Sequence, residues 1–214
     1  MSREFFHDVL VPLGRLKDRA FQNLCIDPES SDVLSQANQV ASAVYHFWEV
    51  ALRRRGYTTV PPMGDERAEK LRQILCDVAD TSKHGALKNS DRTVDLHCAI
   101  AFELNPEGNA RFVRTEINGE NARHGKFEVI DVIDEFLPHL KDELGIVAEK
   151  PFHPPVHDFS ELAVVYTTAD VFSVEEMRFR IYKRDDDQRL VPFDPEDFTL
   201  VVLNHPSEIR QQST

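Results

Sequence analysis

Asp77, Asp80, Lys83 and His84 stand together in the run "CDVADTSKHGAL", residues 76–87. On an α-helix, side chains three or four residues apart are neighbours, so Asp77 can meet Asp80 and Asp80 can meet His84. A carboxylate bonded to an imidazole fixes its tautomer and raises its basicity, the arrangement of a general acid–base pair. The same spacing would suit metal ligands, but a zinc ion would still lack the rest of its shell, and no metal or other cofactor is expected. Two plainer readings stand beside the chemical one. A polar face opposite an apolar stripe is ordinarily solvated, and a histidine in a last helical turn gains from the macrodipole. A third possibility is a face that binds a partner.

The element that must position these residues is a helix over 65–84, begun after the turn-prone "VPPMGD" and stopped by Gly85. At about 100° per residue, Leu71, Ile74, Leu75, Val78 and Ser82 share one side. Gln73, Asp77, Asp80 and His84 then fall opposite, within about 60° of arc, while Arg72 and Lys83 point elsewhere. A longer helix over 30–56 precedes it, its stripe running from Val33 through Val40, Val44 and Trp48 to Leu52, with Gly56 as its C-cap. His46, Glu49 and Arg53 lie on the other face of that helix. They could meet the polar face of 65–84 across a groove, as bundles build sites from facing helices. A first helix spans Ser2 to about Leu24, with Pro12 as a kink or a new first turn.

After residue 92 the period changes to alternation. "RTVDLHCAIAFEL" and "ARFVRTEI" read as strands, and the Asn-Gly pair in "INGEN" is a hairpin signal. Helical spacing returns in "KFEVIDVIDEFLPHLKDELG", and the breaker-rich stretch 149–157 marks a boundary. Beyond it, "ELAVVYTTADVFSV", "MRFRIYKRDD" and "RLVPF" read as further strands. The expected fold is α+β: a helical bundle of about four helices with an inserted β-hairpin over 1–148, and a small β-rich appendage over 158–214.

Charge narrows the function classes. The formal net charge is −12; residues 158–214 carry 12 acidic and 6 basic side chains and the remainder 25 and 19, so the excess is even. Affinity for nucleic acid comes largely from cations that neutralise phosphates. The densest basic cluster, Arg53-Arg54-Arg55, is equally the cationic end of a helix, so charge gives RNA binding no support. No apolar run approaches the roughly 20 residues of a membrane span. The N-terminus lacks the pattern of a signal peptide, and three unpatterned cysteines fit a reducing compartment. A cytoplasmic protein without membrane contact is expected.

Asp77, Val78, Ala79, Asp80, Lys83, His84 and Leu87 match the pattern D-[IV]-A-[ND]-x-x-K-H-x-x-L position by position. With the flanking helices and hairpin, residues 2–144 resemble a group of bacterial helical proteins, similar in turn to the HEPN superfamily of four- to five-helix bundles. That resemblance implies a homodimer through the helices and, for many members, metal-independent ribonuclease activity in toxin–antitoxin or anti-phage defence systems. The HEPN ribonuclease pattern places an arginine four to six residues before its histidine. No arginine precedes His84 at that spacing, and Asp77 would repel a phosphate there. Arg92 and His97 meet the spacing formally but lie on a strand, where residues five apart face opposite sides.

"HPPVH" (His153, His157) holds prolines that forbid the aligning helix, and "RDDDQ" lacks the glycine and distal glutamate of a calcium loop. Three functions follow for testing. The leading one is an accessory protein that recognises a protein partner through Asp77, Asp80, Lys83 and His84. The second is a divergent ribonuclease using His84 with Asp80 and Lys83, and the third a structural dimerisation module.

Overall fold

The computed structural model describes residues 2–21, 30–104, 106, 110–147 and 179–193. Helix α1 (Ser2–Phe5) passes through one π-helical turn, Phe6–Leu10, into α2 (Val11–Phe21). Pro12 has no amide N–H to continue an α-helical ladder, and the wider turn lies immediately before it. There the Val11 amide reaches back five residues to the Phe6 carbonyl.

Helix α3 (Ser30–Arg54) buries Val33, Ala37, Val40, Val44, Trp48 and Leu52, the stripe that its periodicity predicts. Helix α4 (Glu66–His84) starts where the Asp65 carboxylate accepts the Ala68 amide at 2.7 Å. It stops at Gly85, whose φ of 67° suits a residue without a Cβ. In the middle of the chain are β1 (Asp95–Leu104), β2 (Ala110–Asn121) and β3 (Gly125–Glu128). Helix α5 (Val129–Leu144) follows at once, with Glu128 capping the Asp131 amide at 2.7 Å and Gly145 in the left-handed conformation at its end. The last described strands are β4 (Phe179–Arg184) and β5 (Leu190–Pro192).

The strands correct the expected fold. A helical bundle with an inserted hairpin and a separate β-rich appendage would leave β1 and β2 as a self-contained ribbon. Instead the five described strands form one sheet in the order β3-β2-β1-β4-β5, with β4 parallel to β1 from Ile100↔Phe179 to Glu103↔Tyr182. The reason lies in β1 itself, where Ala99, Ile100, Ala101 and Phe102 are buried in succession. Such a continuous apolar run is what a strand of a parallel sheet carries, and β1 has a parallel partner in β4. The "appendage" strands β4 and β5 thus belong to this sheet. "ELAVVYTTADVFSV" and the 149–157 connection lie outside the described residues.

Asn118-Gly119 makes no turn either; it sits inside β2, paired with Glu128 and Phe127 of β3. The Phe127 ring occupies the space a Cβ on Gly119 would need, with Leu96 Cδ2 close behind. The turn comes later, over Asn121–Gly125, where Gly125 has φ 72°.

The chain forms two compact units. The first holds α1, α2 up to Arg19, α3, α4, α5 and β3, with β2 from Ile117 onward; the second holds β1 from Cys98, β2 up to Glu116, and β4 and β5. In the second, Arg184 grips Glu103 at 2.7 and 3.2 Å, and the Tyr182 hydroxyl donates to Glu116 at 2.7 Å. In the first, Lys17 pairs with Asp134 at 2.6 Å and Arg67 with Glu135 at 2.5 Å, tying α2 and α4 to α5. Two members of the basic cluster are also bound. Arg54 pairs with Glu4 at 2.7 Å, and Arg55 donates to the Glu143 and Leu144 carbonyls that end α5. No helix among the described residues is long and apolar enough to cross a membrane.

Two expectations about stability follow. Trp48 is 1% exposed, and Trp48→Ala should cost about 3–5 kcal/mol in chemical denaturation. Its Nε1 finds no hydrogen-bond partner among the described residues, so Trp48→Phe, which removes that donor and keeps a ring, should cost clearly less. The second concerns Glu69. Burial would raise its carboxyl, but Arg72, the Met63 amide and Gln73 prevail and hold it at about 2, below the ordinary 4.5. A depressed folded-state value means stability present above about pH 4.5 and lost as the pH falls toward 2. Melting temperatures across that window should fall less steeply in Glu69→Gln than in the wild type.

Candidate functional site

The Asp77 side of the polar face of α4 is covered by the chain that follows the helix. After Gly85 the chain turns back along the helix: the Leu87 amide bonds Thr93 Oγ1 at 3.0 Å, and the Val94 amide bonds Thr81 Oγ1 at 3.1 Å. Between them, Asn89 caps a 3-10 turn, Ser90–Arg92, by accepting the Asp91 amide at 3.2 Å. That turn delivers Arg92 to the helix. Its Nε donates to Asp77 Oδ1 at 2.6 Å and its Nη2 to Asp80 Oδ2 at 2.6 Å. One guanidinium thus bridges two carboxylates one helical turn apart.

Asp77 is fully buried, and the far end of the hairpin closes over it. Asn121, the last residue of β2, gives its Nδ2 to Asp77 Oδ2 and to the Arg92 carbonyl, each at 3.3 Å. Its side-chain oxygen accepts the His124 amide at 2.8 Å, which shapes the turn. Arg123 places Nη1 3.8 Å from Asp77 Oδ2, its Nη2 donates to Gln73 at 2.7 Å, and its amide bonds the Asp91 carbonyl at 3.1 Å. His124 Nε2 lies 3.3 Å from Asp77 Oδ2 without the orientation of a hydrogen bond. The distance is that of an ion pair, but the angle leaves the nitrogen unsatisfied.

The surroundings shift several ionisations. The bond to Asp77, more than that to Asp80, holds the Arg92 guanidinium above its ordinary value. Burial pushes the Cys76 thiol up, offset in part by Tyr45; its Sγ donates to Asp80 at 3.7 Å and accepts from Arg92 at 3.5 Å. Burial also raises the Tyr45 phenol, with Cys76 and Glu49 acting in the same direction. A buried thiol of raised pKa is a poor nucleophile.

Asp77 and Asp80 are brought together as the spacing predicts, but through Arg92 and not around His84. The expected Asp80–His84 bond is absent; Lys83 and His84 are exposed and without partners among the described residues. His46 pairs with Glu49 at 3.0 Å on α3, while Arg53 is exposed beyond them. His46 and Ser82 line one open cavity of about 690 Å³ with Leu34, Ser35, Asn38, Gln39, Ser42 and Ala43. Asp77, Asp80, Lys83 and His84 are not among its walls. No cluster of three or more His, Cys, Asp or Glu side chains among the described residues could hold a metal ion.

The residues that sequence reasoning missed are Asn121, Arg123 and His124. Arg92 was expected on a strand that enters the hairpin near this cluster, and it lies instead in the 3-10 turn before β1. A signal existed in "NARHG", a polar run with an arginine and a histidine side by side. Only the three-dimensional return of the chain joins it to Asp77.

Mutation should separate the members of this cluster. Arg92→Ala leaves the fully buried Asp77 without its guanidinium and with only longer contacts to Asn121, Arg123 and His124, and should cost about 3–5 kcal/mol. His84→Ala removes an exposed side chain with no described partner and should stay within about 0.5 kcal/mol of wild type. Urea denaturation of the two variants measures both.

No family model, curated protein or solved structure matches the chain, so the functional reading rests on the geometry of this cluster.

Proposed function

We propose that the protein is a non-catalytic recognition protein. The junction of α4 and the hairpin acts as a rigid mount, and Lys83 and His84 at the end of α4 meet a protein partner. The observation that carries this reading is the engagement of both motif carboxylates by Arg92 at 2.6 Å. A general base must be free to take a proton from substrate, whereas Asp77 is fully buried against the guanidinium and Asp80 is bound to it. Lys83 and His84, by contrast, are exposed and unengaged among the described residues, which is what a binding surface requires. The motif's resemblance makes an accessory role in defence or a toxin–antitoxin pair the natural setting.

Two measurements test the reading. Purified protein incubated with single-stranded and duplex RNA, with and without magnesium, should leave both intact. Affinity purification from the native host should recover a protein that the double variant Lys83→Glu/His84→Glu no longer binds, at unchanged melting temperature. RNA degradation that His84→Ala abolishes without altering the melt would overturn the reading in favour of a ribonuclease.

A further inference from the structure

Helix α3 keeps one face in solvent. Its exposed residues are Asp32, Ser35, Gln39, His46, Val50, Arg53 and Arg54. Arg54 is held by Glu4. The other six follow one another at intervals of 3, 4, 7, 4 and 3 residues, a series that reads the same in both directions. Its centre falls between Ser42 and Ala43. At about 100° per residue, these six and the central two lie within about 50° of one line along the helix.

A face with this symmetry can lie on a second copy of itself. In a two-fold pair of antiparallel helices, residues equally far from the axis meet, and every contact is made twice. With the axis between Ser42 and Ala43, Gln39 meets His46 of the second copy, Ser35 meets Val50, and Asp32 meets Arg53. The chemistry agrees at each end: a carboxylate faces a guanidinium, and neither has a charged partner among the described residues. Parallel pairing would set Asp32 on Asp32 and Arg53 on Arg53, which like charge opposes. At the centre, Ser42 and Ala43 are small, and the distance between packed helices follows the size of the side chains at their contact.

The relief of the surface agrees as well. An open hollow of about 690 Å³ lies beside Leu34, Ser35 and Asn38 on the first half of the helix. A smaller one of about 210 Å³ lies beside Phe47 and Val50 on the second half, walled by Glu4 and Asp8. Val50 is 45% exposed, an apolar side chain standing out between polar ones. Antiparallel pairing brings it over Ser35, at the larger hollow of the second copy.

We propose that α3 is the interface of a symmetric homodimer, packed antiparallel on the α3 of a second copy of this chain about a two-fold axis between Ser42 and Ala43. Asp32 and Arg53 set the direction and register of the pair, and Val50 supplies an apolar contact on each side of the axis. Lys83 and His84 line neither hollow, so the dimer does not depend on the recognition reading.

Sedimentation equilibrium of the full chain at low salt tests it. The wild type should be a dimer at tens of micromolar. Asp32→Arg and Arg53→Asp each turn two attractive contacts into two repulsive ones, and each should weaken the dimer about tenfold or more. The double variant Asp32→Arg/Arg53→Asp exchanges the signs and should recover the wild-type affinity. Within one chain the two residues stand about 31 Å apart along the helix, so that recovery can only come from contact between copies. Val50→Glu, which leaves the charge pairs in place, should also shift the equilibrium to monomer. Every substituted position is exposed, and melting curves check that each variant is folded. A wild type that stays monomeric would overturn the proposal. So would a dimer that neither single reversal nor Val50→Glu weakens, or a folded double variant no tighter than the single ones.

Discussion

The bond between Arg92 and Asp77 is the constraint around which the first compact unit is arranged. Asp77 sits on α4 with no solvent exposure, so it must be matched by charge and hydrogen bonds from whatever covers it. Everything that covers it comes from elsewhere in the chain: Arg92 from the 3-10 turn, Asn121 from the end of β2, Arg123 and His124 from the turn beyond. One carboxylate therefore fixes where the chain returns after Gly85 and how far β2 runs before it turns. Replacing a buried ion pair with apolar side chains is often neutral or stabilising. What the buried carboxylate adds is register: shifting the hairpin by one residue would carry Asn121 away from Asp77.

The same arrangement reassigns a motif that looks chemical. Two acids, a lysine and a histidine at helical spacing suggest an active face. In the fold the two acids are bound by Arg92 while Lys83 and His84 are exposed, so the motif splits into a structural half and an exposed half. Cys76 and Tyr45 extend the structural half inward toward α3, where burial keeps both in their protonated forms.

The helices were legible because each carries its own evidence. The α3 stripe, the Asp65 cap and the glycines at 56, 85 and 145 are local features, and they fall where periodicity and capping place them. The sheet was not, because strand partnership is a property of distant segments. Nothing in "MRFRIYKRDD" names β1 as its neighbour; the continuous burial of 99–102 is the only hint in β1 of a parallel partner. Asn118-Gly119 misled for a related reason. Its glycine serves the Phe127 ring across the strands and not a reversal of the chain. The acidic face of α4 was placed correctly on the wheel, but which surface it meets depends on Arg92, fifteen residues later.

The parallel pairing of β1 with β4 has a consequence for how this protein is made. β2 follows β1 within a few residues, so one edge of β1 can be satisfied as soon as the hairpin is synthesised. The other edge, where Ile100 meets Phe179, stays open until most of the chain has emerged. During that interval an apolar strand offers unpaired amides and carbonyls to any neighbouring polypeptide, and such long-range parallel closure is slow. Nascent chains on crowded ribosomes would thus pass through a stage in which their own siblings compete with β4 for the same edge.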